Sequence, residues 1–231
     1  MAAAGTVTAE LWLLEVDEND DGNGGLRLLS AEERRRAGAF RRAEDASRFV
    51  AAHAALRRLL AERTGQRPEQ VRIGQLPCPR CGQAHGRPAL EGEWGQRLQF
   101  SLSHGGRLAM IGLSEETIGV DVEPCPDWPG ALVERALHPR ERAELEAIPG
   151  DHRRSAFTRL WVRKEAYLKG LGIGLGRDLS LDYLGESWPE GRPPGWSVGN
   201  VDAPAGYAAA YAVQGAGAVV RVSRQLVTAA G

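Results

Sequence analysis

Apolar side chains cluster in two stretches of the chain that predict buried β-strands. One covers residues 11–16 and the other residues 118–123, and each is rich in branched aliphatic side chains. A helix start follows each stretch. Ser30 with Glu33 three residues later is the pattern of a capping box, and Pro139 suits the first turn of the second helix. The order of strand and short helix is therefore predicted twice.

A longer helical pattern follows each short helix. Residues 47–63 predict a helix that ends near Gly65, and residues 155–169 predict one that ends near Gly170. Four matched pairs of positions are each 108 residues apart: Leu11 and Gly119, Leu29 and Leu137, Arg34 and Arg142, and Phe49 and Phe157. This spacing indicates an internal duplication, which later apolar stretches extend to about residue 211.

These elements predict a mixed α/β (α+β) fold. We expect two similar halves, residues 1–116 and 117–231, that join near residues 115–118 and hold a site between them. Each half is expected to pack a small sheet against a long helix.

Composition excludes several classes of protein. The 231 residues include 29 basic and 30 acidic side chains, so overall basicity gives no argument for nucleic-acid binding. No apolar run reaches the roughly 18 residues of a membrane span, and no basic region precedes the first apolar stretch. We therefore expect a cytoplasmic protein with neither a nucleic-acid nor a membrane partner.

The chain has two lysines, Lys164 and Lys169, which lie five residues apart. All its other Lys or Arg positions are arginines. This placement predicts a site that needs a compact ammonium group, although chance clustering is the alternative. Lys164 falls on the apolar face of the second long helix, where the 108-residue match has Leu56, so it needs an anionic partner. Glu165 and Lys169 could instead form an ordinary exposed pair on the helix.

Two carboxylates at the end of the second predicted strand supply such partners. Asp121 and Glu123 leave the same face of the strand and repel each other unless a cation lies between them. With Glu165 from the helix they would form a three-carboxylate Mg²⁺ site, flanked by lysines and suited to a pyrophosphate. The alternative is a strand edge that faces water.

A second group of potential ligands is Cys78, Cys81 and His85, with the C-x-x-C spacing of a zinc site. A structural zinc ion would need a fourth ligand, either Cys125 or a side chain from a partner. A loop of reduced cysteines is the alternative. Three cysteines are too few for a disulfide framework.

Five motifs in register resemble a known family, the 4′-phosphopantetheinyl transferases of the type that activates surfactin synthetase. The motifs are Phe-Arg-Arg-Ala-Glu-Asp-Ala-Ser-Arg at 40–48, Gly-Arg-Pro at 86–88, Phe-Ser-Leu-Ser-His at 100–104, Gly-Val-Asp-Val-Glu at 119–123 and Leu-Trp-Val-Arg-Lys-Glu-Ala-Tyr-Leu-Lys at 160–169. The resemblance runs from about residue 29 to residue 211. It implies two halves related by a pseudo-twofold axis, with coenzyme A in the cleft between them.

The resemblance also implies the reaction. The serine hydroxyl of an apo acyl or peptidyl carrier protein attacks the β-phosphate of coenzyme A, phosphopantetheine is transferred, and 3′,5′-ADP is released. Such carriers serve fatty-acid, polyketide and nonribosomal peptide synthesis. Asp121, Glu123 and Glu165 would bind Mg²⁺, and Glu165 or a metal-bound water would accept the serine proton. Because a fused pair of halves would complete the site within one chain, we expect a monomer.

The remaining roles implied by the resemblance concern the coenzyme. Lys169 would neutralise the pyrophosphate, and Lys164 would hold the carboxylates in place. The N-terminal half would bind coenzyme A through seven residues: Arg36, Arg48, Gly86, Arg87, Pro88, Ser103 and His104. Relatives often have a lysine at the positions of Glu33 and Arg87, so this chain departs from the family pattern there.

Two other functions are compatible with the same residues. A different Mg²⁺-dependent phosphoryl enzyme would act on a nucleotide without any carrier protein. A non-enzymatic zinc-ribbon adaptor built around Cys78 and Cys81 would bind no coenzyme A and would lose its fold on chelation.

Overall fold

The computed structural model describes residues 6–16, 23–125 and 136–227, which form a mixed α+β structure. The elements up to residue 114 are β1 (Thr8–Val16), α1 (Asn23–Leu26), α2 (Ala31–Ala37), α3 (Ala43–Thr64), β2 (Ile73–Gln75), β3 (Pro88–Leu90), β4 (Gln99–Gly105) and β5 (Leu108–Ser114). Those that follow are β6 (Ile118–Pro124), α4 (Pro139–Glu146), α5 (Gly150–Leu171), β7 (Trp196–Val201), β8 (Tyr207–Gln214) and β9 (Val219–Val227). The predicted fold class is confirmed.

The two main sheets share one connectivity. In the first, β5 pairs antiparallel with both β1 and β4, and in the second, β8 pairs antiparallel with both β6 and β7. Apart from α1 and the short strands β2 and β3 of the first half, each half runs strand, short helix, long helix and two further strands, and the last strand lies between the other two. The pseudo-twofold axis itself stays a prediction.

The sheets and long helices stack in four layers. One face of each sheet contributes to a shared apolar core that includes Leu11, Met110, Val120 and Ala209. The opposite face of the first sheet packs on α3, and that of the second sheet packs on α5. The shared core holds the two sheets face to face, so the strand ends of both halves lie beside one another.

Between β1 and β6 the two halves match at a spacing one residue shorter than the sequence pattern predicts. Trp12 and Leu14 on β1 pack in the core that α3 covers, and the corresponding α5-facing position on β6 is Gly119. Because side chains alternate along a strand, Asp121 lies on that same face. The match is therefore Trp12 with Gly119 and Leu14 with Asp121, which is 107 residues.

The end of α5 lies two residues beyond the predicted position. The helix continues to Leu171 and ends at Gly172, whose φ of 73° is the left-handed conformation that glycine adopts readily. Gly170 is small for a different reason, since a methyl group there would lie 2.8 Å from the Trp196 ring.

The last described strand joins the first sheet rather than the second. β9 pairs parallel with β1 along its whole length, from Thr8 opposite Val219 to Val16 opposite Val227. The first sheet consequently has the order β4-β5-β1-β9, and the second has the order β6-β8-β7. Among the described helices, none combines the length and apolar character that a membrane crossing requires.

Candidate active site

Asp121 is the centre of a buried polar cluster where β4, β6 and α5 meet. Its side chain is only 2% exposed, and its Oδ1 atom accepts hydrogen bonds from Lys169 Nζ at 2.6 Å and Ser103 Oγ at 2.8 Å. Lys169 Nζ also donates to Ser103 Oγ at 2.7 Å. The three residues come from β6, α5 and β4, so the cluster draws on both halves of the molecule.

Glycines allow these elements to approach closely. A methyl group at Gly119 would lie 2.5 Å from the Gly170 nitrogen and would overlap the Ala166 carbonyl oxygen, so α5 lies directly on β6. At the end of β4, a methyl group at Gly105 would lie 2.6 Å from the Val122 carbonyl oxygen. Both approaches require a residue without a side chain, and together they bring the ends of β4 and β6 against α5.

Two more carboxylates share the site with Asp121. Burial, together with the negative charge of Asp121, raises the pKa of Glu123 to about 7 against the attraction of Lys169. Burial and Asp121 also raise the pKa of Glu165. The carboxylates of Glu123 and Glu165 therefore both interact with the charge of Asp121, and burial is the main cause of the raised pKa of each.

The donor set fits a hard divalent cation. Asp121 Oδ2 is buried and accepts no hydrogen bond within the described part of the chain, which leaves a carboxylate oxygen available as a ligand. Oxygen ligands of this type are those that Mg²⁺ prefers. In the present side-chain positions the oxygens of Asp121, Glu123 and Glu165 do not all lie within 4.8 Å of one another.

Lys164 lies outside this cluster, and its predicted contact with the three carboxylates is corrected by the structure. Its Nζ atom forms a buried ion pair with Glu141 at 2.7 Å and donates to the carbonyl oxygens of Leu179 at 2.9 Å and Asp182 at 2.7 Å. An ammonium group has three donors, and these contacts use all three. Lys164 therefore fixes the segment after α5 rather than Asp121 or its neighbours.

The same arrangement occurs in the first half. Glu33 forms an ion pair with Arg57 Nη2 at 2.7 Å, and Arg57 Nη1 donates to the carbonyl oxygens of Pro68 and Val71 at 3.1 and 2.9 Å. Glu33 and Glu141 also occupy the same N3 position of a capping box, Glu33 at the start of α2 and Glu141 at the start of α4. Arg57 is thus the counterpart of Lys164, which agrees with the 107-residue match along the long helices.

Glu141 is a residue that the sequence analysis did not identify. It is fully buried and accepts hydrogen bonds from the backbone N–H groups of His138 and Leu184 in addition to Lys164. A signal was present, because Glu141 lies 108 residues after Glu33 and follows Pro139 in a capping-box pattern.

A second cluster, formed by residues of the first half, lies beside the carboxylates. Arg36 stacks over the Phe49 ring at 5.4 Å, His53 stacks on the same ring at 4.0 Å, and His104 meets it edge-on at 6.2 Å. His104 is solvent-exposed, but the protein around its ring still removes enough water to lower its pKa, and nearby His53, Lys169 and Arg36 act in the same direction. Two predicted coenzyme contacts, Arg36 and His104, therefore share one aromatic ring.

The other predicted coenzyme residues are spread along the first half. Arg48 is paired with Asp45 at 3.3 Å on α3. Gly86 lies against the Leu76 and Pro77 carbonyl oxygens, where a methyl group would approach to 2.6 and 2.8 Å, and Pro88 begins β3. Arg87 reaches the other half, since its Cγ atom would lie 3.5 Å from a methyl group at Gly172.

The chain is similar to one protein family and to several individual proteins. A family model described as the 4′-phosphopantetheinyl transferase superfamily matches residues 117–209. The 4′-phosphopantetheinyl transferase HetI of Nostoc sp. is 32% identical over 173 residues, which are 72% of this chain and 70% of that protein. The chain belongs to this superfamily.

Other members of the superfamily align over a similar part of the chain. A Synechocystis sp. protein assigned to the same transferase class is 35% identical over 66% of this chain and 61% of its own length. A Bacillus subtilis 4′-phosphopantetheinyl transferase is 28% identical over 67% of this chain and 65% of its own length. The alignments therefore span about two thirds of these relatives.

The part matched by the superfamily model contains the whole carboxylate cluster with both lysines. It does not contain the loop between β2 and β3, in which Cys78, Cys81 and His85 bring their ligand atoms within 4.8 Å of one another. Cys125, the fourth ligand considered from sequence, follows β6 and is not part of this group.

Proposed function

We propose that the protein is a Mg²⁺-dependent 4′-phosphopantetheinyl transferase that converts apo acyl or peptidyl carrier proteins to their holo form. Membership of the superfamily supports the reaction class. The observation that carries the assignment in this chain is the group formed by the buried Asp121 and the half-buried Glu123 and Glu165, with Lys169 beside Asp121. Carboxylates beside a cation at the junction of two halves suit a reaction on a pyrophosphate.

The chemistry required is displacement at phosphorus. The carrier serine oxygen forms a bond to the β-phosphorus of coenzyme A, the bond from that phosphorus to the bridging oxygen breaks, and 3′,5′-ADP leaves with the bridging oxygen. The serine proton would go to Glu165, a carboxylate of the site that can accept it directly or through one water. Lys169 supplies positive charge next to Asp121, where it can neutralise phosphate oxygens.

Asp121, Glu123 and Glu165 would hold the Mg²⁺ ion, with the unpaired Asp121 Oδ2 as one ligand. A bound Mg²⁺ ion supplies Lewis-acid polarisation of phosphoryl oxygens. The function of Lys164 is positioning, since it fixes the segment after α5 through Glu141 and does not contact the carboxylates.

Coenzyme A would bind between the halves. The ring of Phe49 and the side chains of Arg36 and His104 offer a surface for the adenosine and phosphate groups, and Arg87 approaches from the loop before β3. Arg48 would assist from α3. Because both halves of this surface belong to one chain, a monomer would suffice, and we expect it to act in the cytoplasm.

The test is intact-mass spectrometry of an apo carrier protein incubated with this protein, coenzyme A and Mg²⁺, beside a reaction with EDTA. A mass gain of one phosphopantetheine that requires the metal is expected. Acyl carriers of fatty-acid and polyketide synthesis and a peptidyl carrier are tested in parallel. No gain with any of them by the folded protein would contradict the proposal, and turnover of a nucleotide without a carrier would favour a different Mg²⁺-dependent phosphoryl enzyme.

A further inference from the structure

The loop between β2 and β3 brings together three side chains that suit a soft metal ion. The Cys81 sulfur lies 2.9 Å from His85 Nε2, and the Cys78 sulfur completes a group in which all ligand atoms lie within 4.8 Å. No other three Cys, His, Asp or Glu residues in the described ranges meet this condition. The function proposed above uses none of the three.

The backbone of this loop is fixed by its own hydrogen bonds. The Cys78 N–H donates to the Gln83 carbonyl oxygen at 2.7 Å, and the Gly82 N–H donates to the Cys78 carbonyl oxygen at 2.8 Å. Gly82 has a φ of 74°, which a residue with a side chain rarely adopts. The turn closes within six residues and thereby returns the chain towards Cys78.

Burial in the loop is confined to its ends. Residues 79–85 are all exposed, whereas the side chain of Cys78 is buried. A segment without apolar side chains to bury gains little from the hydrophobic effect, and a metal ion is a common alternative source of stability. Exposure of Cys81 and His85 also leaves the ligand atoms accessible from solvent.

We propose that Cys78, Cys81 and His85 bind one Zn²⁺ ion, with the fourth position open to water or an external ligand. Ligand atoms of a tetrahedral zinc site lie about 3.6 Å apart for the usual Zn–S and Zn–N bond lengths. The exposed side chains of Cys81 and His85 need only small rotations to reach this spacing. Thiolate and imidazole ligands select zinc over Mg²⁺, so this site is chemically distinct from the carboxylates.

The bound ion would stabilise a contact between the two halves. Arg80, between the two cysteines, donates a hydrogen bond to the Gly176 carbonyl oxygen in the segment after α5. Arg87, two residues after His85, lies against Gly172 at the end of α5. Zinc binding would therefore restrict the loop at the point where it meets the helix that carries Glu165 and Lys169.

The experiment measures metal binding directly and is independent of the proposed transferase activity. The full chain, reduced and freed of metal, is titrated with Zn²⁺ against a chromophoric chelator, and Co²⁺ is used as a spectroscopic substitute that reports thiolate ligation. The wild type is expected to bind about one ion per chain. Cys81→Ser and His85→Ala, which change exposed side chains, are expected to bind at least about tenfold more weakly.

Two variants serve as matched controls. Cys125→Ser removes the one cysteine outside the group and is expected to bind zinc like the wild type. Asp121→Asn changes the carboxylate cluster and is also expected to leave zinc binding intact. Equal affinity of wild type, Cys81→Ser and His85→Ala would overturn the proposal. So would loss of zinc binding in Asp121→Asn, or a wild-type protein that binds no zinc when reduced.

Discussion

The two halves of the molecule use the same buried ion pair for the same purpose. In the first half, Glu33 at the start of α2 holds Arg57 on α3, which also binds two carbonyl oxygens of the segment that follows that helix. In the second half, Glu141 and Lys164 repeat every part of this arrangement. Arg57 and Lys164 thus fill equivalent positions, which indicates that Lys164 has a structural role in the second half.

The halves differ at two matched positions, one on the first strand of each half and one on the long helix. On the sheet, Leu14 of β1 packs in an apolar core where β6 has Asp121. On the long helix, Arg58 follows Arg57 where Glu165 follows Lys164. The residues proposed for catalysis therefore differ between two halves that share the same buried ion pair.

The largest effect is expected from Glu165→Gln, which removes a proton acceptor and a charged metal ligand together. Transfer to a carrier is expected to fall by at least about 10²-fold, because general-base catalysis alone contributes about 10²–10⁴-fold. Rates come from the intact-mass assay, with circular dichroism to confirm folding. Arg58→Gln is the position-matched control in the first half. Near-normal turnover by Glu165→Gln would contradict the site assignment.

A large effect on stability is expected from Glu141→Gln. Lys164 is 1% exposed in its side chain and would lose its buried carboxylate partner, which costs about 3–4 kcal/mol in the free energy of unfolding. Urea denaturation measures the loss. Glu33→Gln in the first half is expected to cost less, since the side chain of Glu33 is 12% exposed. Equal costs at both positions would mean that burial does not determine the strength of the pair.

An intermediate effect is expected from Gly119→Ala. The added methyl group would collide with the backbone of α5, so the helix must shift, at a cost of about 1–3 kcal/mol. The shift would also move Glu165 and Lys169 away from Asp121 and lower the rate of transfer. Gly150→Ala is the matched control on α5, because a methyl group there meets no atom within 4 Å. Unchanged stability and rate in Gly119→Ala would show that α5 does not need this approach.

The smallest effect is a dependence of stability on pH that belongs to the first half. Burial alone would raise the pKa of Glu33, but hydrogen bonds from His53, the Ser30 N–H and Arg57 outweigh it and lower that pKa to about 2 from 4.5. A lowered carboxyl pKa stabilises the folded state above about pH 4.5, and this contribution is lost as the pH falls towards 2.

Thermal unfolding between pH 6 and pH 2 tests this pH dependence. The wild type should lose stability more steeply than Glu33→Gln over the lower part of that range. Parallel curves for the two proteins would exclude Glu33 as the source.

Much of the frame was predictable from local patterns. The capping box of Ser30 and Glu33, the strand with Asp121 and Glu123 on one face, and the long helices all depend on neighbours in sequence. The predicted spacing between halves was wrong by one residue between β1 and β6 and along the long helices, because apolar matching cannot tell which face of β1 or β6 is covered by a helix.

The partners of Lys164 could not be predicted in the same way. An ammonium on an apolar helix face calls for a carboxylate, but the sequence offered the three carboxylates of the site as well as Glu141. The choice depends on where α4 packs, which is a tertiary property. The pairing of β9 with β1 was likewise hidden, since parallel strands from opposite ends of the chain share no local signal.

That pairing has a consequence for how the protein is made. β1 lies between β5 and β9, so the first sheet leaves β1 as an open edge until Val219–Val227 has been synthesised and has docked. The first half therefore cannot complete its sheet during synthesis of its own residues, and it depends on the second half having passed through the ribosome. A fragment that ends after β5 would expose the edge of β1, with a tendency to associate with other chains.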